Sequence, residues 1–482
     1  MALTVERTAE AIRPARRFIA PLLVGMPVLL IVLATLGALT QQDIPGLPVV
    51  PGITLWGLPL DIWVRDAATA ITLGGALVGG VLAPRPDPWI GRMVSLAALV
   101  WLVSLAAQAV LTVSEVLAVP LEASFDPTII WSLLSQTTLG QVILIQAALV
   151  ALVAVLGWVV LDRVTGLIIL TAVAVAAFLP GFTGHSGIAD GHEAATISLG
   201  VHVLAASAWI GGLIATASYL ARRAPDGGIV LRRFSTVALI SVILLAESGL
   251  LNASLRIDGP AALITSQYGS IILAKVALLI LLIGYGWRAR GAISAGRGIP
   301  SVLRFATTEI AWFGAVLGLS VSLSRTAPPA SAASGDVIPM SALIVLGLVI
   351  PLALAMAVPH MSNLRIRPMR NYPEAQGAVL VFVMVLFGML SAAGFLPVQL
   401  LALSALLILP ALGWIFWDSM LHARSVGAVL LMAILLPVAA WWIEKDVAGG
   451  LALGTWVTVA LGIGLVSAAA FLPKRMLEEA AL

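Results

Sequence analysis

Cysteine is absent from these 482 residues, and charge is scarce: 26 Lys and Arg with 23 Asp and Glu make up 10% of the chain. The first absence excludes disulfides and thiolate metal sites, and it removes the usual clue to redox compartment. The second excludes an ordinary soluble domain. A chain that is 61% hydrophobic, with a mean hydropathy of +1.09, has too few polar side chains to cover its own surface. No phosphate-cradling loop is present either, since G-G-A-L-V-G-G at Gly74–Gly80 falls inside an apolar run and reads as close helix packing. Basic residues follow the loops and form no patch, so nucleic-acid binding has no support.

What remains is a succession of apolar runs, each near the ~20 residues that cross a bilayer as a helix. They predict an all-α, polytopic transmembrane helical bundle of about 14 spans. The runs lie at 18–40, 62–83, 90–113, 138–160, 164–180, 194–220, 232–253, 268–287, 302–323, 340–358, 376–394, 398–417, 425–442 and 449–471. The first follows Arg13, Arg16 and Arg17 and contains Pro27, and with no small-residue cleavage site behind it we read it as a retained span. Alternate loops divide by charge. One set holds Arg85, Arg92, Arg163, Arg222, Arg223, Arg232, Arg233, Arg288, Arg290, Arg297 and Arg304, then Arg365, Arg367, Arg370, Arg424, Lys474 and Arg475. The other holds Asp43, Glu122, Asp126, Asp190, Glu193, Asp258, Asp336, Glu444 and Asp446. This positive-inside bias predicts both termini in the cytoplasm. The segment Asp126–Gly140 reads as a short interfacial helix on the outer face.

Histidine is also rare, with five in the whole chain, yet His185, His192 and His202 crowd into L-P-G-F-T-G-H-S-G-I-A-D-G-H-E and the apolar run that follows. Asp190 and Glu193 stand among them. The topology puts Gly181–Glu193 in an outer loop and His202 about two turns inside the sixth span. Imidazole serves both copper oxidation states and carboxylates favour the oxidised one, so this group could gather copper. The plain structural alternative makes His185 and His192 polar loop residues, with Glu193 favourable near a helix N-terminus. An ionisable His202 inside a span is costly and marks a function or a buried partner. Glu247, in the adjacent antiparallel span, lies at a comparable depth beside Ser248 and Asn252. It either joins a metal site or neutralises Lys275 in the eighth span.

Further polar groups sit within or near spans. Arg65–Asp66 is expected to be a structural pair, Glu115 to stay solvated near the interface, and Glu309 to be either a packing hydrogen bond or an exit-side relay. Methionine is not clustered in the outer loops: only Met340 is expected near that face, while Met356 and Met361, and Met384 and Met389, read as core filler. Trp56, Trp63, Trp131, Trp441 and Trp442 suit an interfacial aromatic belt.

Several of these stretches together resemble the copper resistance D (CopD) family of bacterial membrane proteins, in its actinobacterial type. They are W-G-L-P-L-D-I-W-V-R-D-A-A-T-A at Trp56–Ala70, G-H at Gly184–His185 and H-V-L-A-A-S-A-W-I-G-G-L at His202–Leu213. R-R-F-S at Arg232–Ser235, S-G-L-L-N-A at Ser248–Ala253 and S-Q-Y-G-S-I-I-L-A-K at Ser266–Lys275 follow, then the glutamate span ending in L-S-R-T-A-P-P, Glu309 to Pro329. The resemblance implies copper handling in the bacterial inner (plasma) membrane, with uptake from the outer face and a soluble periplasmic-type carrier as donor. It implies a copper transporter or metal-binding protein rather than an enzyme, with residues 1–329 as the family's module of about nine spans. Residues 330–482, about five further spans, match no motif, and His360 and His422 fall at cytoplasmic ends. The neighbouring superfamily of haem proteins keeps an alternative open, a b-type cytochrome with two of the histidines as axial haem ligands. A further alternative is an accessory or assembly subunit bound to respiratory oxidase subunits.

Overall fold

The computed structural model describes residues 17–37, 39, 48–159, 163–183, 192–254, 256–257, 260–294 and 299–329. The chain divides into two units, Met1–Ile338 and Pro339–Leu482, and all described residues lie in the first. The expected spans beyond Pro329, both termini, His360, His422 and Met340 lie outside the described residues.

Among the described residues all regular structure is helical. A 3-10 turn, Ala20–Val24, leads into α1 (Gly25–Thr35), and α2 (Gly52–Leu77) ends in a π-helical turn, Val78–Leu82. Then come α3 (Pro88–Leu117), α4 (Pro127–Gln136), α5 (Thr138–Val159), α6 (Arg163–Phe178), α7 (His192–Ala221) and α8 (Gly227–Ser254). The short α9 (Pro260–Thr265) precedes α10 (Gln267–Ser294) and α11 (Ile299–Ser324). Each of the nine runs expected before Pro329 coincides with a helix. Among the described residues seven helices are long and apolar enough to cross a membrane, and Thr165–Gly181 is a shorter apolar one. Outward-facing Val103, Val155 and Ile280 are exposed, as suits side chains that meet lipid.

Capping residues explain where several helices begin. Asp87 accepts the Trp89 N–H at 2.9 Å and Pro88 takes the first helical position, where its missing N–H costs nothing. Asp126 and Pro127 repeat the device at α4. There the Thr128 hydroxyl and N–H, at 2.6 and 2.8 Å, donate to the Asp126 carboxylate and hold it below the usual carboxylate range. With Trp131 exposed, α4 fits the interfacial helix expected at 126–140.

The helix α2 is central, packing against α3, α6, α7 and α11, and α7 in turn packs on α8. Glycine sets the closest crossing. A Cβ on Gly211 would run into the backbone of Ala70, and one on Gly74 into Gly211 and Gly212, so α2 and α7 touch backbone to backbone. Trp209 of α7 meets Phe313 of α11 edge-on at 4.8 Å.

Interlocked charges join the loops at one end. Arg85 pairs with Asp226 and Arg222 with Asp87, each at 2.8 Å, while Arg222 also lies 4.7 Å from the ring centre of Trp89. Arg233 donates to the Leu82 carbonyl at 2.7 Å. Loops 83–87 and 222–226 therefore share one end of the bundle, the basic end, as their charge pattern predicts. The Thr54–Ser114 hydrogen bond (2.6 Å) and the Glu115–Arg325 ion pair mark the opposite end.

Candidate functional site

The best-defined polar feature on α7 is His202, set among apolar neighbours and joined to α8. Its Nδ1 lies 2.9 Å from Ser248 Oγ. The serine hydroxyl has one proton, and it donates that proton to the Leu244 carbonyl one turn back, at 2.5 Å. Ser248 Oγ must then accept from His202, so Nδ1 carries the imidazole proton and Nε2 keeps the lone pair. A protein that orients a ligating histidine does so through this kind of bond on the other ring nitrogen. The ring lies over Gly249, where a Cβ would stand 3.5 Å from its Cε1.

From Ser248 a ladder of hydrogen bonds runs toward the end opposite the basic loops. Ser198 Oγ donates to the Ser248 carbonyl at 3.0 Å, and Asn252 Nδ2 reaches Ser198 Oγ and that same carbonyl, each at 2.9 Å. Arg256 completes it, donating to Asn252 Oδ1 at 2.7 Å. Ser198 and Ser248 are both buried, so these bonds replace water that the seam excludes. On α10, Lys275 is close enough to act electrostatically on His202, and Arg256 acts on Lys275 in the same way.

Of the other residues expected to bind metal, His185 and Asp190 lie outside the described residues. His192 and Glu193 occupy the first turn of α7, and Glu247 precedes Ser248 on α8, at the level of His202. The side chains of these three also lie outside the described residues. Among the described residues no three His, Asp or Glu side chains converge as a metal shell.

A second polar seam, between α2 and α3, was not singled out from the sequence. Asp61 Oδ1 accepts from Ser104 at 2.8 Å. Arg65 donates through Nε and Nη2 to Asp66 Oδ1, at 3.0 and 2.8 Å, and through Nη1 to Gln108 Oε1 at 3.1 Å. The expected Arg65–Asp66 pair is therefore present, but as part of a larger cluster. Its signal in the sequence was the four-residue spacing of Asp61 and Arg65 on one helix and of Ser104 and Gln108 on the next.

Glu115 requires a correction. It is paired with Arg325, which follows the last turn of α11 and reaches across with both terminal nitrogens. Glu309 is 5% exposed on α11, about one turn from Phe313.

Taken together, the chain is a multi-span, all-helical membrane protein in which polar side chains are gathered along two helix seams. Its relationship is to copper proteins: residues 228–323 match the family model for copper resistance protein D, and residues 53–196 match that for the copper resistance protein D-like N-terminal domain. The first segment covers α8 to α11 and the second α2 to α6 with the start of α7; His202 lies between them. A curated relative from Bacillus subtilis (strain 168), named copper transport protein CutJ, is 30% identical over 175 residues. That match covers 34% of this chain and 32% of the relative, so it spans about a third of either protein. No solved structure matches the chain.

Proposed function

We propose that this protein carries copper across the bacterial plasma membrane, taking it up from the outer face through a site built around His202. The observation that carries the reading is the hydrogen bond between His202 Nδ1 and Ser248 Oγ. Ser248 holds the proton on Nδ1, so Nε2 presents a lone pair inside a span, at the inner end of a polar ladder. Neutral imidazole is a good ligand for copper in either oxidation state. His185, His192, Asp190 and Glu193 belong to the loop and first helical turn just outside, and Glu247 stands at the level of His202. We assign them to the capture and completion of the copper shell. Copper is the transported substrate, and the role is transport or binding rather than catalysis.

The relatives' names, which speak of copper resistance and copper transport, support the metal. The basic loops at one end support the orientation, with that end cytoplasmic and the ladder opening outside. A soluble copper carrier is a fitting donor, because free copper would meet Arg256 and Lys275 as an unfavourable cationic field, whereas direct hand-over to loop histidines avoids crossing it first. Residues 1–329 would form the copper module, and 330–482 an additional one.

The test is metal binding and copper accumulation in wild type and His202→Ala. The variant should fold, keep its helix content and lose at least about tenfold in copper affinity. Wild-type binding and accumulation by His202→Ala would overturn the assignment.

A further inference from the structure

We propose that Asp61 is a proton-binding site within the membrane, exchanging its proton with the end of the bundle opposite the basic loops along the α2–α3 seam. The reasoning begins with a count of charges. Asp61, Arg65 and Asp66 bring two carboxylates and one guanidinium to the same stretch of α2. Three of the guanidinium's five N–H groups are engaged, Nε and Nη2 on Asp66 and Nη1 on Gln108, and none of these bonds reaches Asp61. Asp61 Oδ1 accepts from the neutral Ser104 hydroxyl, which also contacts the Asp61 carbonyl at 3.1 Å. Its Oδ2 is buried and has no hydrogen-bond partner among the described residues.

An ionised carboxylate in that setting leaves a negative charge in a largely buried seam with one oxygen unsatisfied, which is costly. One cation removes the cost. A divalent metal needs several ligands, and with Asp66 Oδ1 and Gln108 Oε1 bound to Arg65 the contacts around Asp61 offer its own oxygens and one serine hydroxyl. A proton needs only Oδ2: the carboxylate takes it from hydronium, leaving water and a neutral carboxylic acid.

The seam also supplies a route. On α3, Ser104, Gln108, Thr112 and Glu115 follow one another at spacings of four, four and three, so they share a face that leads from Asp61 to the end of the helix. Thr112 and Gln108 are buried along it, and Glu115 with its partner Arg325 stands at the mouth beside the Thr54–Ser114 hydrogen bond. From the other helices packed on α2, the groups that bear on Asp61 are few. Glu309 of α11 lies deeper, about a turn beyond the Phe313–Trp209 contact toward the basic end. His202 of α7 lies level with Asp61: α2 and α7 run parallel through the Ala70–Gly211 crossing, and each residue precedes that crossing by about two and a half turns. A proton site on α2 thus stands at the depth of the histidine on α7.

The test uses the full-length protein in lipid nanodiscs without copper, so that it is independent of the transport reading. Infrared difference spectra are recorded as the pH is stepped. Wild type should show the carbonyl band of a buried carboxylic acid that grows as pH falls and shifts in heavy water. Asp61→Asn should lack that band, Asp61→Glu should retain one, and Glu309→Gln should leave it in place. If Asp61→Asn does not fold, Ser104→Ala reads the same group, because loss of the hydroxyl must shift the band. No band in wild type, an undiminished band in Asp61→Asn, or an unshifted band in Ser104→Ala would each overturn the proposal.

Discussion

The α7–α8 seam and the α2–α3 seam place their key groups at the same depth, yet they accommodate polarity in opposite ways. Around His202 the described links to Ser248, Ser198 and Asn252 are neutral hydrogen bonds between hydroxyls, amides and carbonyls, and Arg256 adds a charged one at the far end. Around Asp61 the links are ionic, with two carboxylates and one guanidinium. Neutral ladders can be complete without any ligand, and among the described residues this one engages His202 through Nδ1. Ionic clusters must also balance or solvate their charge, and this one sets two carboxylates against one guanidinium. The copper site proposed for the first seam and the proton site proposed for the second rest on this difference.

The largest expected effect tests the ionic seam. Arg65→Met should leave Asp66 without its partner and destabilise the protein by about 3 kcal/mol, read as a loss of folded yield and a lower Tm. Adding Asp66→Asn should restore most of the loss, because the pair is then removed as a unit. If Asp61 depends on Arg65 for its charge, the double variant will stay as unstable as the single one, and the separation between the two carboxylates fails.

Next comes the contact that keeps the two seams level. Gly211→Val must push α7 away from Ala70 on α2, and overpacking of this kind costs about 1–3 kcal/mol. Copper binding should fall along with the Tm, since the same displacement moves His202. A Tm unchanged by this substitution would mean that the helices are not in backbone contact there.

The neutral seam is sharpened by Ser248→Ala. The fold should survive, because the Leu244 carbonyl keeps its bond within the helix, but His202 loses the acceptor that fixes its tautomer. Copper affinity should fall about tenfold, the usual cost of losing such a supporting bond. Equal affinity in Ser248→Ala and wild type would show that the ring is held by something else.

How much of this could be read from the sequence differs between the seams for the same reason. Hydropathy finds helices by their apolar runs, and it found all nine before Pro329. It started the second at 62 rather than Gly52, because the stretch 41–61, rich in proline and glycine and ending in Asp61, reads as a loop until Ser104 on α3 is there to receive that carboxylate. Clustered histidines drew attention to His202, and the short turn between α7 and α8 implied that the two helices pack side by side; the residue expected opposite His202 was Glu247, whereas the described partner is its neighbour Ser248. Ser198 and Arg256 were missed, since serine is common in membrane helices and an arginine at a helix end needs no partner. Asp61 lay within a recognisable motif, but the feature that singles it out, an oxygen with no donor, depends on where its neighbours point. Such information is carried by side-chain directions across two helices and has no one-dimensional trace.

The smallest effect concerns what the seams share. Loop 83–87 joins the helices of one and loop 222–226 those of the other, and the reciprocal pairs Arg85–Asp226 and Arg222–Asp87 tie them together. Arg85 is largely exposed, so its pair contributes little, while Arg222 is held on both Asp87 and the Trp89 ring. Exchanging the partners as Arg222→Asp with Asp87→Arg retains the pairing but removes the cation from the ring. It also replaces the aspartate that caps α3. Stability should fall by about 1 kcal/mol, dominated by the lost cap. The single variant Arg85→Gln should cost less than about 0.5 kcal/mol. If Arg85→Gln instead lowers the Tm as much as the double exchange, the loops are joined mainly through Asp226, and the two seams are coupled at their basic ends more strongly than surface ion pairs allow.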